Sequence, residues 1–224
     1  MPEEDMRVRV LPTGEYGTVT EYSPAESCCL VELDSWQFGR RREDKDRDDE
    51  KWYNFAFDQP ELRDCPTSQV ERLVEVGPAD RRAVLEGFEA LALVSTAFFD
   101  HPGCPIVVIR RAGDGLDVIV RSHDCKVYGR RTLKGADAEK LVFAVLATHA
   151  DEWTETFEPE CGVLDGYGWD MTVYSGSRYF RCDGNNAAPR EIAELLYAVA
   201  DAGLPLAWDG DEIGFARDEE PGGR

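Results

Sequence analysis

Short stretches of alternating polar and apolar residues dominate the first third of the chain. Arg7-Val8-Arg9-Val10 alternates, Pro12-Thr13-Gly14 turns, and Gly17-Thr18-Val19-Thr20-Glu21-Tyr22 runs on. Cys28 to Leu33 sets Cys29, Val31 and Leu33 on one face. Trp52 to Phe57 sets Trp52, Asn54 and Ala56 against Tyr53, Phe55 and Phe57, and Val70 to Val76 is the last such run. A period of two between turn residues predicts β-strands. Four or five strands at this spacing predict a small barrel.

The pattern changes after Gly77-Pro78-Ala79-Asp80, where Asp80 is a candidate helix cap. From Arg81 to Phe99, residues Val84, Leu85, Phe88, Leu91, Ala92 and Phe98 fall near helical spacing. The nearly apolar run Ala90 to Phe99 is too short to span a bilayer and reads as a buried helix. The pattern then predicts one plan twice: Ile106 to Ile109 and Leu116 to Val120 form a hairpin around Gly113-Asp114-Gly115, followed by a helix from Ala136 to Asp151. A second hairpin, Trp169 to Tyr174 and Arg178 to Cys182 around Ser175-Gly176-Ser177, precedes a helix from Ala188 to Ala202. That last helix carries the stripe Ile192, Leu195, Leu196, Val199 and Ala200. Two ββα units sharing one antiparallel sheet, with helices on one face, predict an α+β domain over 79–217.

The order Val8-x-Val10, Gly17-Thr18-Val19, Leu30-Val31-Glu32-Leu33-Asp34, Val70-Glu71-Arg72-Leu73 resembles an SH3-like (KOW-type) barrel over about a third of the chain. The resemblance implies a docking module over 1–76 for protein, peptide or nucleic acid. The family's basic nucleic-acid face is not visible here. Asp165-Gly166-Tyr167-Gly168-Trp169-Asp170-Met171-Thr172-Val173, Gly184-Asn185-Asn186-Ala187-Ala188-Pro189 and the apolar helix after them are similar to small bacterial proteins, some encoded beside toxin–immunity genes. That resemblance implies no catalytic signature. The same residues also read as sheet packing at Trp169, a turn at Gly184-Asn185, and Pro189 near a helix start.

Charge narrows the partners. Against 25 Lys+Arg stand 45 Asp+Glu, for a net charge of −20. This repels nucleic-acid phosphates and anionic membranes and attracts basic proteins. The excess gathers in 151–170 and 201–220, the first window holding Asp151, Glu152, Glu155, Glu158, Glu160, Asp165 and Asp170 without a basic residue. Acidity of this kind also accompanies GC-rich or salt-adapted genomes. The block 40–51 carries six positive and six negative residues, reading as a solvated loop or, at Arg40–Arg42, a contact for an acidic ligand. The chain ends in an acidic tail, 218–224. The start, Met1-Pro2-Glu3-Glu4-Asp5-Met6, lacks the pattern of a secretory signal, and seven cysteines without framework spacing fit reduced thiols; a cytoplasmic protein is expected.

Candidate chemistry centres on His101, Cys104, His123 and Cys125. If the hairpin turn centres on Asp114-Gly115, Cys104 falls opposite Cys125 with His101 close by, a soft ligand set suited to zinc. His-x-x-Cys with His-x-Cys is an uncommon zinc spacing, and a disulfide or a Cys–His nucleophile pair are the other readings. His149 near a helix end reads as a partner of the helix dipole. Glu155, Glu158 and Glu160 with Asp165, and the turn Asp209-Gly210-Asp211-Glu212, raise acid–base or Ca²⁺ chemistry without EF-hand spacing. No phosphate-cradling glycine motif is present. The expectation is a non-catalytic, acidic protein-binding module without a cofactor, of immunity or inhibitor type, with a basic protein as partner. Trp153, Tyr167, Trp169 and Trp208 would anchor that partner. The alternatives are a small metal-dependent or cysteine hydrolase and a scaffold acting through the barrel.

Overall fold

The computed structural model describes residues 2–34, 61–97, 104–123, 126–153, 156–158, 166–208 and 213–216. The expected strand at 52–57, the charged block 40–51 and the tail 218–224 lie outside the described residues. Five strands form the first sheet: β1 (Arg7–Val10), β2 (Glu15–Ser23), β3 (Cys28–Leu33), β4 (Glu61–Pro66) and β5 (Val70–Arg72). Their order is β4-β3-β2-β1-β5, with antiparallel neighbours throughout. The alternation in the sequence becomes the interior of this sheet: Val8, Val10, Val19, Cys29, Val31, Leu33 and Cys65 are buried together.

This sheet is open, which corrects the expected closed barrel. Closure requires the edge strands to share a ladder. Here β4 and β5, although joined by a single 3₁₀ turn at Thr67–Gln69, share no ladder, and among the described residues each pairs on one side only. The chain leaves β5 for the second sheet instead.

The remaining elements are β6 (Val74–Glu75), α1 (Pro78–Glu86), β7 (Ala90–Ala97), β8 (Pro105–Ala112), β9 (Gly115–Ser122), β10 (Val127–Lys134), α2 (Ala136–Ala147), β11 (Thr156–Phe157), β12 (Tyr167–Ser175), β13 (Arg178–Asn185), α3 (Ile192–Asp201), β14 (Ala207–Trp208) and β15 (Ile213–Gly214). The large sheet runs β10-β9-β8-β7-β12-β13-β11, with β6 also bonded to β13. It is mixed, since β6 and β11 both lie parallel to β13.

The predicted helix from Arg81 to Phe99 is corrected to a short helix and a strand. Helix α1 stops at Glu86 before Gly87, and Ala90–Ala97 enters the sheet between β8 and β12. Its residues divide by parity. Leu91 and Leu93 join the main core under the helices, while Ala90 and Ala92 join a second cluster on the opposite face. A strand buried on both faces shows no polar alternation, so its apolar run imitates a buried helix.

The doubled ββα plan is also corrected. Four strands, β7 to β10, meander before α2, and only β12, β13 and α3 follow the hairpin-then-helix order. Strand β10 escapes the pattern because it is an edge: of its eight residues only Leu133 is buried. The hairpin turns are two-residue loops, Gly113-Asp114 and Gly176-Ser177, with Gly113 at φ 60° and Gly176 at φ 56°. Positive φ at the first loop position is the glycine requirement of a type II′ turn.

Helices α1, α2 and α3 cover one face of the large sheet, and the main core lies between. On the other face Ala90, Ala92, Ile106, Val108 and Tyr174 meet Tyr16 and Leu73 from the first sheet's side. The Tyr16 and Tyr174 rings stack at 4.0 Å. Arg7 grips the Asp34 carboxylate through both guanidinium nitrogens at 2.6 Å and donates to the Tyr174 hydroxyl at 2.8 Å. Among the described residues no helix is long and apolar enough to cross a membrane.

Candidate functional site

The acidic window has been divided by folding. Asp151 lies in a 3₁₀ turn, Ala150–Glu152, with its carboxylate side chain only 8 % exposed and 3.6 Å from Arg82. Glu152 and Glu158 are exposed. Glu155, Glu160 and Asp165 lie outside the described residues, as do Asp209 to Glu212. Asp170 sits on β12, pairs with Arg181 and accepts from Thr172 at 3.3 Å. Burial pushes its carboxyl above the ordinary range, against the pull of Arg181.

The aromatic residues of this window serve the core. Trp153, Tyr167 and Trp169 are all buried. Trp153 meets Trp169 edge-on at 5.8 Å and Phe157 at 5.9 Å. The Trp169 indole N–H donates to the Ala187 carbonyl at 2.7 Å. Gly184 makes room for that indole, because a Cβ there would stand 2.6 Å from Trp169 Nε1. Trp208 is half-buried against the same core. The apolar area expected to anchor a partner is therefore taken, for these side chains, by the chain's own interior.

Of the thiol–imidazole set, His101 and Cys125 lie outside the described residues. Register corrects the pairing of the other two. Ala112 pairs with Gly115 and Pro105 with Ser122, so the next step puts Cys104 opposite His123 instead of Cys125. Cys104 is buried. His123 Nε2 is 2.6 Å from the Ser95 carbonyl, which can only accept, so Nε2 carries the proton. Among the described residues no three His, Cys, Asp or Glu side chains are placed to hold a metal ion.

The helical layer carries a surface that the sequence reading missed. Helices α2 and α3 pack together, and Lys140, near the start of α2, meets Asp201, at the end of α3, at 2.7 Å. That contact brings the first half of α2 to the C-terminal end of α3. One turn beyond that ion pair on each helix stand Phe143, 73 % exposed, and Tyr197, 54 % exposed. Asp137, Glu139, Glu191 and Glu194 are exposed around them, with Arg190 at the near end of α3. A helical wheel shows both aromatics to be off the buried stripe. Phe143 is two residues from Leu141, and Tyr197 two residues from Leu195, about 200° around the helix.

Beside Phe143 a groove of about 400 Å³ separates α2 from the end of the β8–β9 hairpin. Ala138, Val142 and Leu146 form one wall and Leu116 lies at its base, while Glu139 and Phe143 form the α2 lip. Arg111 and Asp114 stand across it. Arg111 Nε donates to the Phe88 carbonyl at 2.8 Å, with the guanidinium over the Phe88 ring at 4.8 Å. Asp114 is held by Lys134 at 3.0 Å. No protein-family model matches this chain, and no curated protein matches it.

Proposed function

We propose that this protein is a non-catalytic binding module that docks a basic protein, as an immunity-type or inhibitor protein does, through its acidic surface. One observation carries the reading: Phe143 and Tyr197 are both exposed on the packed pair α2 and α3, whose surface also shows carboxylates at 137, 139, 191 and 194. Lys140, the cation of α2 in this region, is tied to Asp201. Large aromatic side chains cost free energy when left in water and supply binding energy when a partner covers them. Their ring faces also favour the guanidinium and ammonium groups of a basic surface. The surrounding carboxylates and the net charge of −20 draw such a partner in from a distance.

The reading moves the contact surface away from the tryptophans of the acidic window and onto the outer side of α2 and α3. Its test is kinetic. The partner is recovered from cells that make the protein, and its association rate is measured by stopped flow. Raising ionic strength from about 0.01 M to about 1 M shrinks the Debye length from about 30 Å to about 3 Å. The rate is expected to fall by at least several-fold, and Tyr197→Ala to speed dissociation. A rate indifferent to salt overturns the proposal.

A further inference from the structure

We infer that the groove between α2 and the β8–β9 hairpin seats an apolar side chain of a basic partner, with a lysine or arginine of the same segment placed on Glu139. The inference rests on the binding-module reading above and says where and how the partner engages. At about 400 Å³ the groove is at the small end of ligand-binding cavities, enough for one or two side chains. Its α2 wall is apolar because Ala138, Val142 and Leu146 recur every four residues and line up along the helix. Glu139 and Phe143 are likewise four apart and form an adjacent row, so a carboxylate and an aromatic ring stand one turn apart on a single lip. The complement of that lip is an apolar residue with a cation one turn away.

Charge fixes which way the segment lies. On the far lip Asp114 is neutralised by Lys134, whereas Arg111 keeps its positive charge. On the near lip Asp137 and Glu139 are exposed carboxylates at the start of α2. A cation entering the groove is repelled by Arg111 and attracted to Glu139, so it settles on the α2 side. The same charges argue against a second copy of this chain as the occupant. Twofold pairing of these faces would bring Asp137, Glu139 and Glu194 of each copy together, on chains that each carry −20.

The test uses the full-length protein with methyl-labelled Val, Leu and Ala, titrated with a synthetic amphipathic peptide of leucine and lysine. A lysine-only peptide and a leucine–glutamate peptide are run in parallel. The leucine–lysine peptide is expected to shift the methyl signals of Val142, Leu146, Ala138 and Leu116, and the other two are not. Phe143→Ala and Glu139→Lys, both at exposed positions, are each expected to weaken binding about tenfold while the melting temperature stays put. Groove signals unmoved by the leucine–lysine peptide, or moved equally by the lysine-only or the leucine–glutamate peptide, overturn the inference. If that peptide still binds with salt-sensitive affinity and Tyr197→Ala alone weakens it, the groove is wrong and the binding-module reading stands. Failure of both cationic peptides to bind at low salt overturns both.

Discussion

Two buried ionisable groups make the fold sensitive to alkali. Burial pushes the Cys182 thiol up to about 12, against a smaller pull from Arg81. Burial and the Asp34 carboxylate raise the Tyr174 hydroxyl above its ordinary value, although Arg7 opposes them. Burial also works against the Arg7 charge, and the paired Asp34 outweighs it. The sign follows from proton counts. Above about pH 9 the unfolded chain releases the thiol proton while the native chain keeps it, so unfolding becomes easier as pH rises. The full contribution is present below that pH and drains away toward 12, at up to about 1.4 kcal/mol per pH unit for the thiol. Urea titrations at pH 8 and pH 10.5 are expected to show a marked loss of stability at the higher value. Cys182→Ala is expected to reduce that difference, whatever it costs at pH 8, and an unchanged difference refutes the assignment. None of this could be read from the chain. Cys182 is one thiol of seven, and Arg7, Asp34 and Tyr174 become neighbours only when distant strands meet.

Local chemistry set most elements, and its failures have a common cause. Strands β1 and β3 carry strict alternation, and the two glycine turns mark their hairpins, so all four features were legible. The strand β7 was not, because burial on both faces removes the polar residues that reveal a period of two. Register is more delicate still. Placing the tight turn on Asp114-Gly115 instead of Gly113-Asp114 moved Cys104 from His123 to Cys125. Glycine at 184 illustrates an element-level constraint that sequence spacing left ambiguous. Its place before Asn185 predicts a turn residue, but it lies within β13, where a Cβ would stand 2.5 Å from the Ala187 carbonyl and 2.6 Å from Trp169 Nε1. Gly184→Ala is therefore expected to cost about 2 kcal/mol or more through overpacking. It should also shift Trp169 fluorescence as its bond to Ala187 is strained. A wild-type emission spectrum and melting temperature would contradict that account.

At the scale of the molecule, two sheets share one interface built from small and large residues in complement. Ala90 and Ala92 leave space on the large sheet, and Tyr16 fills it while stacking on Tyr174. The Arg7–Asp34 pair and its bond to Tyr174 close the polar side of the same contact. Tyr16 is only 2 % exposed, so Tyr16→Ala is expected to cost about 3 kcal/mol through cavity formation. Because this contact joins the sheets, the native protein is expected to unfold in one transition, coincident by far-ultraviolet and near-ultraviolet dichroism. In Tyr16→Ala the two probes should separate if the sheets can melt independently. A wild-type protein that already melts in two steps contradicts the shared interface. The helical face lies on the far side of the large sheet from this contact, which leaves α2 and α3 free to carry a binding surface.

The amino-acid order by itself determined the excess of negative charge, the alternation of β1 and β3, the glycine turns and the apolar stripe of α3. Each depends on residues within one or two turns or strands of each other, so the local pattern carries it. Tertiary structure decided whether the first sheet closed, which way the apolar run 90–97 would fold, and which aromatics would be hidden. Those outcomes depend on what lies across from a residue, and burial of Trp153, Tyr167 and Trp169 beside exposure of Phe143 and Tyr197 is the result. A side chain's hydrophobicity states what burial would be worth; only the packed neighbours determine whether it happens.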